Sequence, residues 1–95
     1  MTEFLVEIYA SKADCATVAA GLARLHRAAA ELVDERRPVR FVRSIFVPED
    51  ETCFLLVDAT SPEDVRETAR RASLEYERVV EATADLTNNE RSTAR

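Results

Sequence analysis

Apolar and polar positions near the start of the chain alternate with the period of two that is typical of a β-strand. The two faces of this segment are Phe4, Val6 and Ile8 against Leu5, Glu7 and Tyr9. Both faces are largely apolar. The pattern therefore predicts a strand near the centre of a sheet, with Glu7 as the polar exception on an apolar strand.

β-Branched and aromatic residues return at 39–47 and 53–57, on either side of the polar sequence Pro48-Glu49-Asp50-Glu51. This arrangement predicts an antiparallel hairpin. Strict alternation in its first strand gives the faces Phe41, Ile45 and Val47 against Val42 and Phe46. Residues 76–83 predict a last strand, whose shared face is Tyr76, Val80 and Ala82.

Two helices are predicted between these strands. Ser11-Lys12-Ala13-Asp14 has the spacing of a capping box, and Pro38 marks the end of the helix that follows. Its apolar stripe is Val18, Leu22, Leu25, Ala29 and Leu32. The sequence Ser61-Pro62-Glu63-Asp64 predicts a second helix with Ser61 as the N-cap. The buried stripe of this helix is Val65, Ala69 and Ala72.

The predicted order of elements is βαββαβ, which with right-handed crossovers is the ferredoxin-like α+β sandwich: one four-stranded antiparallel sheet with two helices on one face. Residues 1–84 form this domain, and the polar residues 85–95 are expected to be a flexible tail. Because several strands are apolar on both faces and the helices cover only one, the open sheet face needs another cover. We expect a second copy of the chain, which gives a homodimer with a cavity between two sheets.

Charge and hydropathy exclude two classes of partner, nucleic acid and membrane. The 95 residues include 18 acids and 13 bases, and the net charge of -5 opposes binding to nucleic acid. The first ten residues lack a positively charged leader, and no apolar stretch approaches the roughly 20 residues of a membrane span. The sequence thus predicts a cytoplasmic protein that binds neither nucleic acid nor membrane.

Three residues are candidates for a ligand site on the open sheet face: Glu7, Tyr9 and Arg43. Burial of Glu7 in a central strand would favour its protonated form and make it a usable base, although pairing with a strand arginine is the commoner arrangement. Arg43 could pair with Glu7 or bind an anion through two parallel hydrogen bonds, if the two share a face. Arg40 is expected on the other face, in solvent.

Catalytic and metal motifs are weak. His26 is the only histidine, and about 16 Å of helix separates it from Cys15, so the two are not ligands of one metal within a chain. Cys53 stands alone in its strand, without a C-x-x-C motif. We therefore predict no catalytic residue, no metal ligand and no cofactor.

Parts of the chain resemble a known family. Residues 4–7, 42–47 and above all Val57-Asp58-Ala59-Thr60-Ser61-Pro62-Glu63-Asp64-Val65-Arg66 resemble small bacterial ferredoxin-like proteins described as nickel-responsive or nickel-binding. The resemblance spans about residues 3–83 and implies the ferredoxin-like fold, a dimer and a link to nickel. Glu7 matches the acid in the family's first strand. Arg43 and Leu55 stand where the family carries His and Cys, the imidazole and thiolate that nickel favours.

These observations predict a homodimeric protein that binds a small ligand without chemistry of its own. One alternative is a cofactor-independent isomerase or monooxygenase of the dimeric α/β-barrel type, with Glu7 accepting a proton and Tyr9 or His26 orienting the substrate. The other alternative is a nickel-responsive module whose metal ligands come from two chains.

Overall fold

Four strands pair into one antiparallel sheet in the computed structural model, which describes residues 1–11 and 15–83. The elements are β1 (Thr2–Tyr9), α1 (Cys15–Asp34), β2 (Val39–Val47), β3 (Thr52–Ala59), α2 (Pro62–Arg71) and β4 (Arg78–Ala82). The strands lie in the order β2-β3-β1-β4, so each helix connects two strands that are not neighbours. This topology confirms the ferredoxin-like α+β sandwich that the sequence predicts.

Both helices pack on one side of the sheet, where the core lies. The predicted stripe of α1 is confirmed, because Leu25, Ala29 and Leu32 are buried and Val18 and Leu22 pack against them. The sheet contributes the alternate residues of its central strands, which are Phe4, Val6, Ile8, Cys53, Leu55 and Val57. Neither helix has an apolar stretch that could cross a bilayer, within the part of the chain that the structure describes.

The start of α2 also follows the prediction. Ser61 is the N-cap, and its Oγ accepts a hydrogen bond of 3.3 Å from the backbone N–H of Asp64. The buried Asp64 carboxylate in turn accepts a 2.9 Å hydrogen bond from Arg37 Nε, which ties the loop after α1 to this helix. Thr68 is buried and donates its hydroxyl to the backbone oxygen of Asp64 at 2.7 Å. The polar groups at this helix start are therefore paired.

Some predicted boundaries differ from the structure. The capping box at 11–14 falls largely outside the described residues, as does the predicted tail at 85–95. Helix α1 ends at Asp34, before the predicted limit, because Arg36 adopts a left-handed conformation with φ of 65°. Strand β4 begins only at Arg78, so the prediction that Tyr76 shares a strand face with Val80 is wrong; Tyr76 packs against the core instead.

The face assignment predicted for β2 is also wrong. A β-bulge interrupts the pairing of β2 with β3 between Phe41 and Arg43. Phe41 pairs with Val57 on the helix side, whereas Ile45 pairs with Phe54 on the opposite side. One extra residue reverses the alternation for the rest of the strand, since successive side chains point to opposite faces.

A network of ion pairs joins the two helices. Arg71 Nη1 lies 2.8 Å from Glu35 Oε2 in the turn after α1, and Arg71 Nε lies 2.7 Å from Glu67 Oε2. Arg70 also binds Glu67, at 2.6 Å. Hydrogen bonds from Arg70 and Arg71 lower the pKa of Glu67 to about 2, and the hydrogen bond from Arg71 lowers the pKa of Glu35.

These shifted pKa values predict a loss of stability in acid. Both carboxyls have a folded-state pKa below the ordinary value of 4.5, so their contribution is fully present above that pH and is lost as the pH falls towards 2. We expect an Arg71→Met variant to have a lower Tm than the wild type at pH 6 and a shallower fall in acid, so that the two curves converge near pH 2. Thermal unfolding by circular dichroism at several pH values measures this, and parallel curves for the two proteins would contradict it.

Candidate functional site

The side of the sheet without helices, here called the open face, gathers the three candidate residues Glu7, Tyr9 and Arg43. Its large apolar members are Leu5, Ile45, Val47, Phe54, Leu56 and Val80. Its charged members are Glu3, Glu7, Asp58, Arg40, Arg43 and Arg78. The sheet register places these side chains in rows that run across the strands, because directly paired residues of antiparallel strands share a face.

Glu7 lies in the middle of this face, between Phe54 on β3 and Arg78 on β4. Its Oε2 accepts a hydrogen bond from Arg78 Nε and forms an ion pair with it. The carboxylate is the more buried partner, with 20% of its side chain exposed against 65% for the arginine. A cross-strand arginine therefore holds Glu7 in place from the edge of the sheet.

Arg43 reaches the open face because of the bulge in β2. It pairs with Leu56 on β3, in the row that continues to Leu5 on β1 and Val80 on β4. The side chain of Arg43 is exposed and makes no ion pair with any residue that the structure describes. A guanidinium thus stands in an otherwise apolar row.

Glu7 and Arg43 share a face but do not meet. Strand β3 lies between their strands, and their rows are two residues apart along the sheet, so about 12 Å separates their Cα atoms at ordinary strand spacing. The structure pairs Glu7 with Arg78 instead. Any molecule that touches both Glu7 and Arg43 must span the Phe54–Leu56 segment of β3 between them.

Tyr9 closes one end of the open face. The residue is 59% exposed, and its hydroxyl donates a hydrogen bond of 3.3 Å to Glu51 Oε1. Glu51 follows a short 3-10 turn at Pro48–Asp50 and has a left-handed backbone with φ of 49°. The backbone oxygen of Glu51 also accepts a hydrogen bond from the N–H of Ala10, which fixes the turn beside the end of β1.

The remaining candidates lie on the other side of the sheet. His26 on α1 is exposed, and its ring meets the edge of Phe41 at 4.9 Å between centroids. Cys53 is buried against α1, where loss of solvation raises the pKa of its thiol. It lines a cleft of about 170 Å³ whose other walls are apolar apart from Ser44. The sheet therefore separates both residues from Glu7.

The described residues of one chain include no cluster of metal ligands. Over residues 1–11 and 15–83, no group of three or more His, Cys, Asp or Glu side chains could hold a metal ion. Positions 43 and 55 lie on opposite faces of the sheet, since Leu55 is fully buried under the helices and Arg43 is on the open face.

Sequence reasoning missed two residues that shape the site. Arg78 was not a candidate, because its pairing with Glu7 depends on the register of β4 against β1. Arg40 was expected on the other face from Arg43, which is wrong: the bulge brings both to the open face, where Arg40 binds Asp58 at 2.7 Å. Once the register of β4 against β1 is known, the alternation of side chains in β4 places Arg78 on the open face beside Glu7.

The fold and this open face define the class of the protein: a small ferredoxin-like α+β protein whose two described helices cover one face of the sheet. A sequence model described as nickel responsive protein SCO4226-like matches residues 4–82. The chain therefore belongs to the SCO4226-like nickel-responsive family, which confirms the resemblance noted in the sequence.

A solved structure supports the same fold. The chain is similar to the crystal structure of SCO4226 from Streptomyces coelicolor A3(2), with a TM-score of 0.56 and 19% sequence identity. The match covers 86% of this chain and 96% of that one. No curated protein matches the sequence.

Proposed function

We propose that the protein is a homodimeric binding module that packs its open face against the open face of a second copy. A small ligand is held between the two sheets beside Glu7, Tyr9 and Arg43, and the chain performs no chemistry on it. The observation that carries this proposal is the apolar character of a sheet face that neither described helix covers.

The apolar side chains of the open face favour burial. Phe54 and Leu56 lie on β3 and Leu5 on β1, the two central strands, and Ile45 on the edge strand is 48% exposed. Contiguous apolar patches larger than a few hundred Å² are rare on soluble monomers and usually mark an interaction surface. Burial of such a patch supplies about 25 cal/mol per Å² of apolar surface.

The charges of the open face favour a second copy as the cover. The described strands place three acids there, Glu3, Glu7 and Asp58, and the same number of arginines. The face is thus neutral although the chain carries a net charge of -5. Two copies can approach through this face without the mutual repulsion that their overall charge imposes elsewhere.

The size of the open face is adequate for a dimer. Its central strands have 8 residues each. The edge strands have 9 and 5 residues. At about 3.3 Å per residue and 4.8 Å between strands, the four strands present on the order of 500 Å² per copy. Two such faces bury on the order of 1,000 Å² together, which is the lower limit for a specific interface.

Native mass spectrometry of the untagged protein tests this proposal. We expect the mass of a dimer with a discrete additional mass from a bound small molecule. The bound mass should be lost under denaturing conditions, and small-angle scattering at the same concentration gives an independent subunit count. A bare monomer at micromolar concentration would contradict both the dimer and the cavity that depends on it.

The family match over residues 4–82 makes a nickel-responsive module the second candidate. The described donor set does not fit nickel within one chain, so a site would need ligands from two copies. In the same mass spectra, after addition of nickel chloride and buffer exchange, we expect no stoichiometric nickel. Retained nickel that is lost in a Glu7→Gln or Cys53→Ser variant would favour this candidate over ours.

No specific observation favours the isomerase or monooxygenase alternative. It requires Glu7 to accept a proton, and Arg78 already occupies Glu7 Oε2. It also allows His26 to orient the substrate, but His26 lies beside Phe41 on the helix side of the sheet. Tyr9 alone shares the open face with Glu7 in that role.

A further inference from the structure

The bulge in β2 places the positive charge of Arg43 on the open face. Phe41 pairs with Val57 on the helix side, and an unbroken strand would place residue 43 on that same side, under the helices. The extra residue turns Arg43 outward, opposite Leu56. Bulges commonly redirect a side chain in this way next to binding sites.

Arg43 is the arginine of the open face that no described acid neutralises. Arg40 binds Asp58 at 2.7 Å, and Arg78 binds Glu7. Asp58 is the nearest acid in the register, one diagonal position from Arg43, and Arg40 already occupies its Oδ2. The two flanking pairs are therefore neutral, and Arg43 contributes an uncompensated positive charge between them.

A second sheet packed on the open face would remove water from the Arg43 guanidinium and so destabilise the dimer. A guanidinium that loses water without gaining an anionic partner is strongly destabilising, whereas a carboxylate can satisfy it through two parallel hydrogen bonds. Apolar side chains surround Arg43 on this face. Leu56 and Leu5 lie in its row and Ile45 lies further along its strand, so they can contact the rest of a bound molecule.

We propose that the ligand between the sheets is a small organic carboxylate, whose anionic end binds Arg43 and whose apolar body lies on Leu5, Ile45 and Leu56. This inference rests on the proposed function, because the ligand is enclosed only when two open faces meet. The competing neutraliser is Glu3 of a second copy, since Glu3 is the other charged residue of the face without an ion pair in the described chain.

Benzoate and benzamide distinguish an anionic ligand from a neutral one of the same shape. The dimer mass of the wild type is established first by sedimentation equilibrium. Each compound is then titrated into the 15N-labelled protein, stripped of copurified ligand, and followed by amide chemical shifts. We expect benzoate to bind at least about 10-fold more tightly than benzamide, because only the anion forms charge-assisted hydrogen bonds. The largest shifts are expected at Leu5, Arg43 and Leu56.

Two variants of β2 test the role of Arg43. An Arg43→Met variant should bind benzoate and benzamide equally. The matched Arg40→Met control is made together with Asp58→Asn, so that no unpaired carboxylate is left one diagonal position from Arg43, and it should keep the preference. Both variants lose an arginine from the same strand and the same face.

The outcomes separate this inference from the function on which it rests. A wild-type monomer contradicts the proposed function. A dimer that binds benzoate and benzamide equally, or an Arg43→Met variant that keeps the preference, overturns the carboxylate inference alone. A third outcome is that Glu3→Gln and Arg43→Met weaken the dimer equally and the wild type shows no preference for benzoate. Glu3 of the second copy is then the partner of Arg43, and the carboxylate inference is overturned.

Discussion

Replacing Phe54 with aspartate is expected to leave the chain monomeric at concentrations where the wild type forms a dimer. Phe54 lies on the central strand β3 of the open face, directly opposite Glu7 on β1. The substitution removes the largest apolar side chain of that face and places a second carboxylate beside Glu7. In a dimer, both new charges would be buried, so we expect the dimer Kd to rise about 100-fold or more.

Sedimentation equilibrium measures this change. Val33→Asp is the matched control, because Val33 is an apolar residue of α1 that is 51% exposed, away from the open face. We expect this control to keep the wild-type dimer Kd. Circular dichroism checks that both variants fold, and Phe54→Ser serves if the aspartate variant does not. An unchanged dimer in the folded Phe54 variant would exclude the open face as the interface.

Neighbouring leucines of β3 should differ sharply in their effect on stability. Leu55 is fully buried between the sheet and the helices, whereas Leu56 lies on the open face. We expect Leu55→Ala to lower the free energy of unfolding by about 2–5 kcal/mol, through lost burial and the cavity left behind. Leu56→Ala should cost less than about 1.5 kcal/mol in the dilute monomer, where solvent already reaches that face.

Urea unfolding at low protein concentration gives the two free energies, and each variant serves as the control for the other. The dimer Kd should rise more for Leu56→Ala than for Leu55→Ala, because only Leu56 lies on the proposed interface. Equal costs in the monomer would mean that the open face is covered by something within the chain. That result would contradict the argument from which the dimer is inferred.

The fold was largely predictable because its signals are local. Alternation in β1, the stripe Leu25, Ala29 and Leu32, and the N-cap at Ser61 each depend on residues within a few positions of one another. The candidate site was only partly predictable. The sequence could identify Glu7 as a carboxylate on an apolar strand, but its partner Arg78 is distant in the chain and reaches it only through the register of β4.

By itself, then, the sequence determined the order of the elements, the residues that face the core in both helices and β1, and the membership of the SCO4226-like family. The tertiary structure alone decided which charges share the open face. The reason is that a β-strand has a side-chain period of two, so the single extra residue near Phe41 moves Arg43 from the buried side to the open face. Local propensities do not reveal such a bulge, because it forms where β2 and β3 pair.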